Sequence, residues 1–106
     1  QSCLDNSDDS QDMIDCAYAA QDDWNKILNA NYQAAMATLN KQRRQALRKA
    51  QRAWLKYRDA DSEFRDAAWQ FGDALDAKLF LTDAGVDVIK QRAQLLGTFF
   101  EASTQN

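Results

Sequence analysis

The chain has 106 residues, of which 45% are hydrophobic and 27% charged, and its formal net charge is -3 at pH 7. This length predicts a single domain over residues 1-106 with a modest core. No apolar run approaches the roughly 18 residues that a membrane-spanning helix requires. Proline is absent and glycine occurs only three times, which predicts a mostly helical fold because turn-rich β folds need both residues.

The two cysteines flank an acidic segment at the start of the chain. The sequence begins at Gln1 rather than Met, with Cys3 close behind and Cys16 after it, a pattern typical of a mature end left by removal of a signal peptide. With no histidine and no Cys-x-x-Cys, neither a zinc site nor a thioredoxin-type site is expected. We expect a Cys3–Cys16 disulfide, worth about 3 kcal/mol for a loop of about 15 residues. Such a bond favours a periplasmic or secreted location.

The first nine residues form a polar, acidic tail, which the disulfide would tie to the first helix. Four aspartates lie in this tail and just beyond it: Asp5, Asp8, Asp9 and Asp12. They lack the central Gly and the terminal Glu of an EF-hand loop, so no metal is expected. Ser10 with acidic neighbours instead predicts a helix N-terminus. The same four aspartates are the candidate contacts for a protein partner.

Apolar residues recur at steps of three and four along three stretches, which predicts three long amphipathic helices. The first covers about residues 10-39, the second covers about 42-71 after a turn near Asn40, and the third begins at a cap formed by Thr82 and Asp83. Residues 73-80 are expected to form a short extra helix, after Gly72 has ended the second long one. An all-α up-down bundle buries the three apolar stripes most simply.

The stripe of the second helix contains Leu47, Trp54, Tyr57 and Phe64. Long stripes of this kind are typical of seams between helices, so we predict that these aromatic side chains lie in the core. Asp61 falls on the same stripe. We expect it either near the end of the bundle, where water reaches it, or paired with a basic residue.

Charge is distributed unevenly along the chain. Residues 1-23 contain seven Asp and no Lys or Arg, whereas residues 41-58 contain eight basic residues and no acid. Residues 59-76 are acidic again. In an antiparallel hairpin that turns near residue 40, the two acidic segments lie side by side and form an acidic pole opposite a basic one. An acidic pole attracts a cationic partner and speeds its encounter with the protein.

Most enzyme chemistry is excluded by what the sequence lacks. There is no His, no nucleophile elbow and no glycine-rich phosphate loop, so we expect neither catalytic residues nor a cofactor. Arg and aromatic residues alternate in residues 41-58, as in some nucleic-acid-binding segments. Export and an isoelectric point near 4.8 argue against that function.

Two runs of sequence carry a family resemblance. They are Leu28-Asn29-x-x-Tyr32 and the longer Ala-Gln-Arg-Ala-Trp-Leu-x-Tyr-Arg-Asp run over residues 50-59. Together with the cysteine pair, they resemble the LprI-type family of small exported bacterial helical domains, which is named after a lysozyme-inhibiting member. The resemblance covers residues 3-62 well. The motif residues that we single out as structural are Gln51, Arg52, Trp54, Tyr57, Arg58 and Asp59.

The chain departs from the family pattern at a second cysteine pair, whose places hold Ser62 and, approximately, Ala77. The family's acidic residue before the Leu-Asn pair is Asn25 here. The resemblance implies an inhibitor of a cell-wall hydrolase, with lysozyme as the family example, that binds a cationic enzyme through acidic residues. The alternative is an immunity or adaptor protein for one dedicated periplasmic partner. An exposed apolar face with Trp69, Phe71 and Phe80 would favour that alternative.

Overall fold

The computed structural model describes residues 10-69 and 74-104, and all the regular secondary structure in these ranges is helical, with a turn at residues 38-40. The three helices are α1 (Ser10–Ala37), α2 (Lys41–Trp69) and α3 (Ala74–Thr104). The predicted all-α fold with three long helices is therefore confirmed. Within the described ranges, no helix combines the length and the apolar character needed to cross a membrane.

The turn between α1 and α2 lies where the sequence predicts it, at Asn40. The Asn40 side-chain Oδ1 accepts a hydrogen bond of 2.9 Å from the backbone N–H of Arg43, which caps the start of α2. At the other end of the turn, the Arg44 side chain donates to the backbone carbonyl of Met36, at 2.9 Å. The same carbonyl accepts a hydrogen bond of 3.3 Å from the backbone N–H of Leu39, so a backbone group and a side chain together satisfy this end of α1.

The predictions of a short helix over residues 73-80 and of a new helix starting at Thr82 are wrong. Helix α3 is continuous from Ala74, so Thr82 lies in its interior. The Thr82 hydroxyl donates to the backbone carbonyl of Lys78 at 2.7 Å, which satisfies it without a cap. Residues 75-81 contain no Gly or Pro and several strong helix formers, so nothing there interrupts the helix.

Helices α1 and α3 pack against each other along most of their length, whereas α2 makes a smaller contact with α3. Four buried side chains form the centre of the core: Leu28, Ile89, Ala93 and Leu96. Four larger, partly buried side chains surround that centre: Trp24, Tyr32, Leu47 and Trp54. The core is thus mainly the α1–α3 contact, with α2 added at one side.

Two hydrogen bonds join α1 to the backbone of α3, and each lies beside a glycine. Gln21 donates to the carbonyl of Thr82 at 3.0 Å, and Asn31 donates to the carbonyl of Ala93 at 2.8 Å. A Cβ atom added to Gly85 would lie 2.7 Å from Nε2 of Gln21. The equivalent atom on Gly97 would lie 3.0 Å from Nδ2 of Asn31. Glycine at these places leaves room for the two amides.

Asp61 forms an ion pair with Arg65, one turn further along α2. This confirms one of the two predicted alternatives, that Asp61 is paired with a basic residue. Arg65 is largely buried, because its guanidinium lies against Gly85 of α3. Cys16 is buried in α1 and carries no free thiol. Cys3 lies outside the described residues, so its disulfide with Cys16 stays a prediction.

The close approach at Gly85 generates a prediction about stability. Replacing Gly85 with Leu should displace both Gln21 and Arg65, and overpacking of this kind costs about 1-3 kcal/mol. Gln94→Leu is the matched control, since it adds a leucine to an exposed position of the same helix. Urea unfolding of both variants measures the difference. Equal stability of Gly85→Leu and the control would show that the glycine is not needed for packing.

Candidate protein-binding site

The motif over residues 50-59 attaches α2 to α3. Gln51 is only 7% exposed, and its side-chain oxygen accepts a hydrogen bond of 3.0 Å from Nε of Arg92 on α3. A buried amide without a partner would cost free energy, so this bond explains the choice of Gln at that position. Gln51 of the motif therefore joins α2 to α3.

Two guanidinium groups lie close to the ring of Trp54. The Cζ atom of Arg58 is 5.5 Å from the centre of the Trp54 ring, and the Cζ atom of Arg92 is 5.8 Å from it. Both distances are within the range of cation–π attraction. Burial lowers the pKa of Arg92, yet an arginine remains a cation at neutral pH. We call Gln51, Trp54, Arg58 and Arg92 the tryptophan–arginine cluster.

The outer part of the motif is at the surface. Tyr57 is 56% exposed and Phe64 is 67% exposed, so the prediction that both lie in the core is wrong. The reason is that α2 touches the rest of the chain along a narrow line, which covers Leu47 and Trp54 but not Tyr57 or Phe64. Arg58 and Asp59 form an ion pair of 3.1 Å at the surface, and Arg52 is exposed.

A groove of about 210 Å³ runs between α2 and α3 beside the cluster. Its walls combine aromatic, aliphatic and polar side chains: Trp54, Tyr57, Val88, Gln91, Arg92 and Leu95. We call it the α2–α3 groove.

A second and larger groove, of about 390 Å³, lies between α1 and α3. Its floor is mostly apolar and is formed by Met13, Cys16, Ala17, Ala20, Trp24, Leu79 and Val86. Its charged lining residues all come from α3 and are Asp83, Asp87 and Lys90. We call it the acidic groove.

The two carboxylates of the acidic groove are one helical turn apart and repel each other. Partial burial raises the pKa of Asp83, and the negative charge of Asp87 raises it further. Among the described residues, neither carboxylate forms an ion pair. Lys90 is the basic residue nearest to Asp87 in sequence, but its ammonium lies over the ring of Trp24, 5.7 Å from the ring centre. With two carboxylates and one ammonium, the groove therefore presents net negative charge above an apolar floor.

Of the four aspartates predicted to contact a partner, the structure describes only Asp12. Asp12 lies in the first turn of α1, next to Met13 of the acidic groove, while Asp5, Asp8 and Asp9 lie outside the described residues. Sequence reasoning missed Asp83 and Asp87, because it treated Asp83 as part of a helix start. Their spacing of four residues was the signal, since it puts both on one side of a helix.

The described residues also bear on two other predictions from the sequence, which concern a metal site and an exposed apolar face. No group of acidic or thiol side chains there has the arrangement of a metal site. The exposed apolar face expected from Trp69, Phe71 and Phe80 can be assessed only at Phe80, which is 72% exposed. The side chain of Trp69 and the whole of Phe71 lie outside the described residues.

Comparison with known proteins gives one match. The model of the family described as "Lysozyme inhibitor LprI" matches residues 3–96, which is most of the chain. No curated protein matches, and no solved structure matches.

The different exposure of the two motif aromatics generates a prediction. Trp54→Ala should destabilise the fold by about 3 kcal/mol, because it removes a ring that packs on the core. Tyr57→Ala should change stability by less than about 1 kcal/mol, as is usual for surface substitutions. Thermal and urea unfolding measure both. Equal losses in the two variants would contradict the placement of Tyr57 at the surface.

The raised pKa of Asp83 generates a prediction about pH. A carboxyl with a raised pKa binds its proton more tightly in the folded chain, so stability falls as the pH rises through its titration. Asp83→Asn removes this penalty and should be more stable than the natural chain at pH 7. The advantage should disappear below about pH 4, where the unfolded carboxyl is also protonated. Urea unfolding at pH 3, 5 and 7 tests this. A variant less stable than the natural chain at pH 7 would contradict it.

Proposed function

We propose that this chain, which belongs to the LprI lysozyme inhibitor family, inhibits a cell-wall hydrolase, most directly lysozyme, by binding it through an acidic surface. The family match over residues 3–96 is the observation that carries this proposal. The described geometry supports it through the acidic groove, where two unpaired carboxylates border an apolar floor. We also propose that the protein acts in the periplasm or after secretion, where a Cys3–Cys16 disulfide would persist.

Binding, rather than chemistry, is the mode of action. An acidic surface raises the local concentration of a cationic enzyme and speeds association. In the acidic groove, the aliphatic part of a Lys or Arg side chain would lie on the floor near Trp24. Its charged end would reach the carboxylates of Asp83 and Asp87. Long basic side chains bury their stems in this way while the charge finds a partner.

The groove carboxylates have the character of a binding pair. Two like charges a turn apart on a helix destabilise it, and partial burial adds to that cost at Asp83. An approaching cation would relieve both effects at once. The Asn25 substitution does not affect this groove, because Asn25 is not among its lining residues.

The second candidate is an immunity or adaptor protein for one dedicated partner. Its support is the exposure of Phe80, a large apolar side chain at the surface of α3. A protein of this kind would bind its own partner and would not inhibit lysozyme. Measurement of lysozyme inhibition separates the two candidates.

We predict that purified protein inhibits lysozyme in a cell-wall lysis assay and that inhibition weakens as salt is added. The reason is that surface charges are screened over about 8-10 Å at physiological ionic strength. Replacing Asp83 and Asp87 together by Asn should weaken inhibition by about ten-fold, the effect of losing about 1.4 kcal/mol of binding free energy. Replacing Asp8, Asp9 and Asp12 by Asn should mainly slow association, because rim charges act on encounter.

The matched control replaces Asp22 and Asp23 by Asn. This variant removes the same charge from exposed positions of α1 that do not line the acidic groove. A similar loss in the control and in the groove variant would show that only net charge matters. Circular dichroism verifies that each variant is folded. Absence of inhibition by the natural chain at low salt would overturn the lysozyme proposal and favour the dedicated partner.

A further inference from the structure

The α2–α3 groove has the composition of a hot spot in a protein–protein interface. Hot spots are enriched in Trp, Tyr and Arg and lie beside apolar side chains that exclude water. Here Trp54 and Arg92 line the groove together with Tyr57, which is 56% exposed, and Leu95, which is 58% exposed. These two large exposed side chains, one on each side of the groove, form a surface that a partner can cover.

Arg92 is held in place inside this groove by two neutral groups. Its Nε donates to Gln51, and its guanidinium lies near the ring of Trp54. No carboxylate among the described residues lies within ion-pair distance of it. The two terminal nitrogens of its fork also have no hydrogen-bond partner within the described part of the chain. A preorganised guanidinium of this kind complements a carboxylate, which it can bind through two parallel hydrogen bonds.

The rim of the α2–α3 groove lies close to the rim of the acidic groove on the surface of α3. Asp87 lines the acidic groove, and Gln91 lines the α2–α3 groove. These two residues are one turn apart on α3 and are both exposed, so they are neighbours on the helix surface. A partner that spans Asp87 and Gln91 and reaches into both grooves would meet negative charge in one and a guanidinium in the other.

We propose that the α2–α3 groove is the part of this protein that covers the catalytic cleft of the hydrolase, with Arg92 paired to a carboxylate of that cleft. This proposal rests on the proposed function. Glycoside hydrolases place a pair of carboxyl groups on either side of the bond that they cleave. A cationic enzyme with an acidic cleft has the charge arrangement that the two grooves complement: basic surface toward Asp83 and Asp87, carboxylates toward Arg92.

The geometry assigns separate roles to the groove residues. Arg92 supplies charge and a planar fork. Tyr57 and Leu95 supply exposed apolar area on its two sides, which would exclude water from the ion pair and strengthen it. Gln51 and Trp54 act as positioning residues, because they hold Arg92 and are less exposed than Tyr57 and Leu95. Inhibition by this route is competitive with the saccharide substrate.

The first test compares Tyr57→Ala with Phe64→Ala. Both remove an exposed aromatic ring from α2, but Phe64 does not line the groove. We expect Tyr57→Ala to weaken inhibition of lysozyme by about ten-fold or more, as for interface residues whose truncation costs more than 1 kcal/mol. We expect Phe64→Ala to retain full inhibition. A soluble chitin oligosaccharide that fills the lysozyme cleft should compete with binding of the natural chain.

The second test identifies the carboxylate. Arg92→Gln should weaken binding to natural lysozyme but not to lysozyme whose catalytic carboxyl groups have been converted to amides. In such a double-mutant cycle, a shared contact appears as non-additive losses. Because Arg92→Gln also removes a contact with Trp54, Arg92→Lys is measured beside it. The lysine keeps the charge without the fork and should recover only part of the affinity.

The outcomes separate this proposal from the proposed function. If the natural chain does not inhibit lysozyme, both are overturned. If it inhibits, but Tyr57→Ala and Phe64→Ala behave alike, the α2–α3 groove is not the contact and the acidic-surface proposal stands. Additive losses in the Arg92 cycle, or binding that the oligosaccharide does not affect, would likewise remove the cleft assignment alone.

Discussion

The close contact between α1 and α3 is the constraint on which the rest of the structure depends. Gly85 and Gly97 leave space for the amides of Gln21 and Asn31, which donate to backbone carbonyls of α3. A helix carbonyl has two lone pairs, so it can accept such a bond without losing its own partner in the helix. Small side chains such as Ala93 lie at the same contact. The result is a fixed position of α3 against α1, and both grooves are built on α3.

Helix α2 is attached to this pair mainly by polar and aromatic contacts. Gln51 and Trp54 contact Arg92, and Arg65 lies against Gly85 near the other end of α2. Ser62, at one of the places where the family resemblance expects a cysteine, lines a small cavity with Lys78 of α3. Attachment along so narrow a line leaves much of the apolar stripe of α2 uncovered. That exposure is what makes Tyr57 available to a partner.

The packing of the helices determines where the charged side chains lie. The charged side chains of the two grooves all come from residues 83-92 of α3, outside the acidic and basic segments that alternate along the rest of the chain. Asp83 and Asp87 carry unneutralised negative charge on one side, and Arg92 has no carboxylate partner among the described residues on the other. Such groups cost stability in the isolated protein. Proteins commonly accept that cost at binding surfaces, where stability is traded for function.

The sequence by itself determined the three helices, the turn at Asn40 and the family, because periodicity, capping and a ten-residue motif are local properties. It also predicted the pairing of Asp61 as one of two alternatives. Only the tertiary structure decided that Tyr57 is exposed, since periodicity shows which face of a helix is apolar but not how much of it a neighbour covers. The structure was needed to show that α3 is continuous through Thr82, because a cap and a helix interior satisfy the same hydroxyl equally well. The placement of Asp83 and Asp87 in one groove and of Arg92 in another likewise required knowing which helices lie against α3.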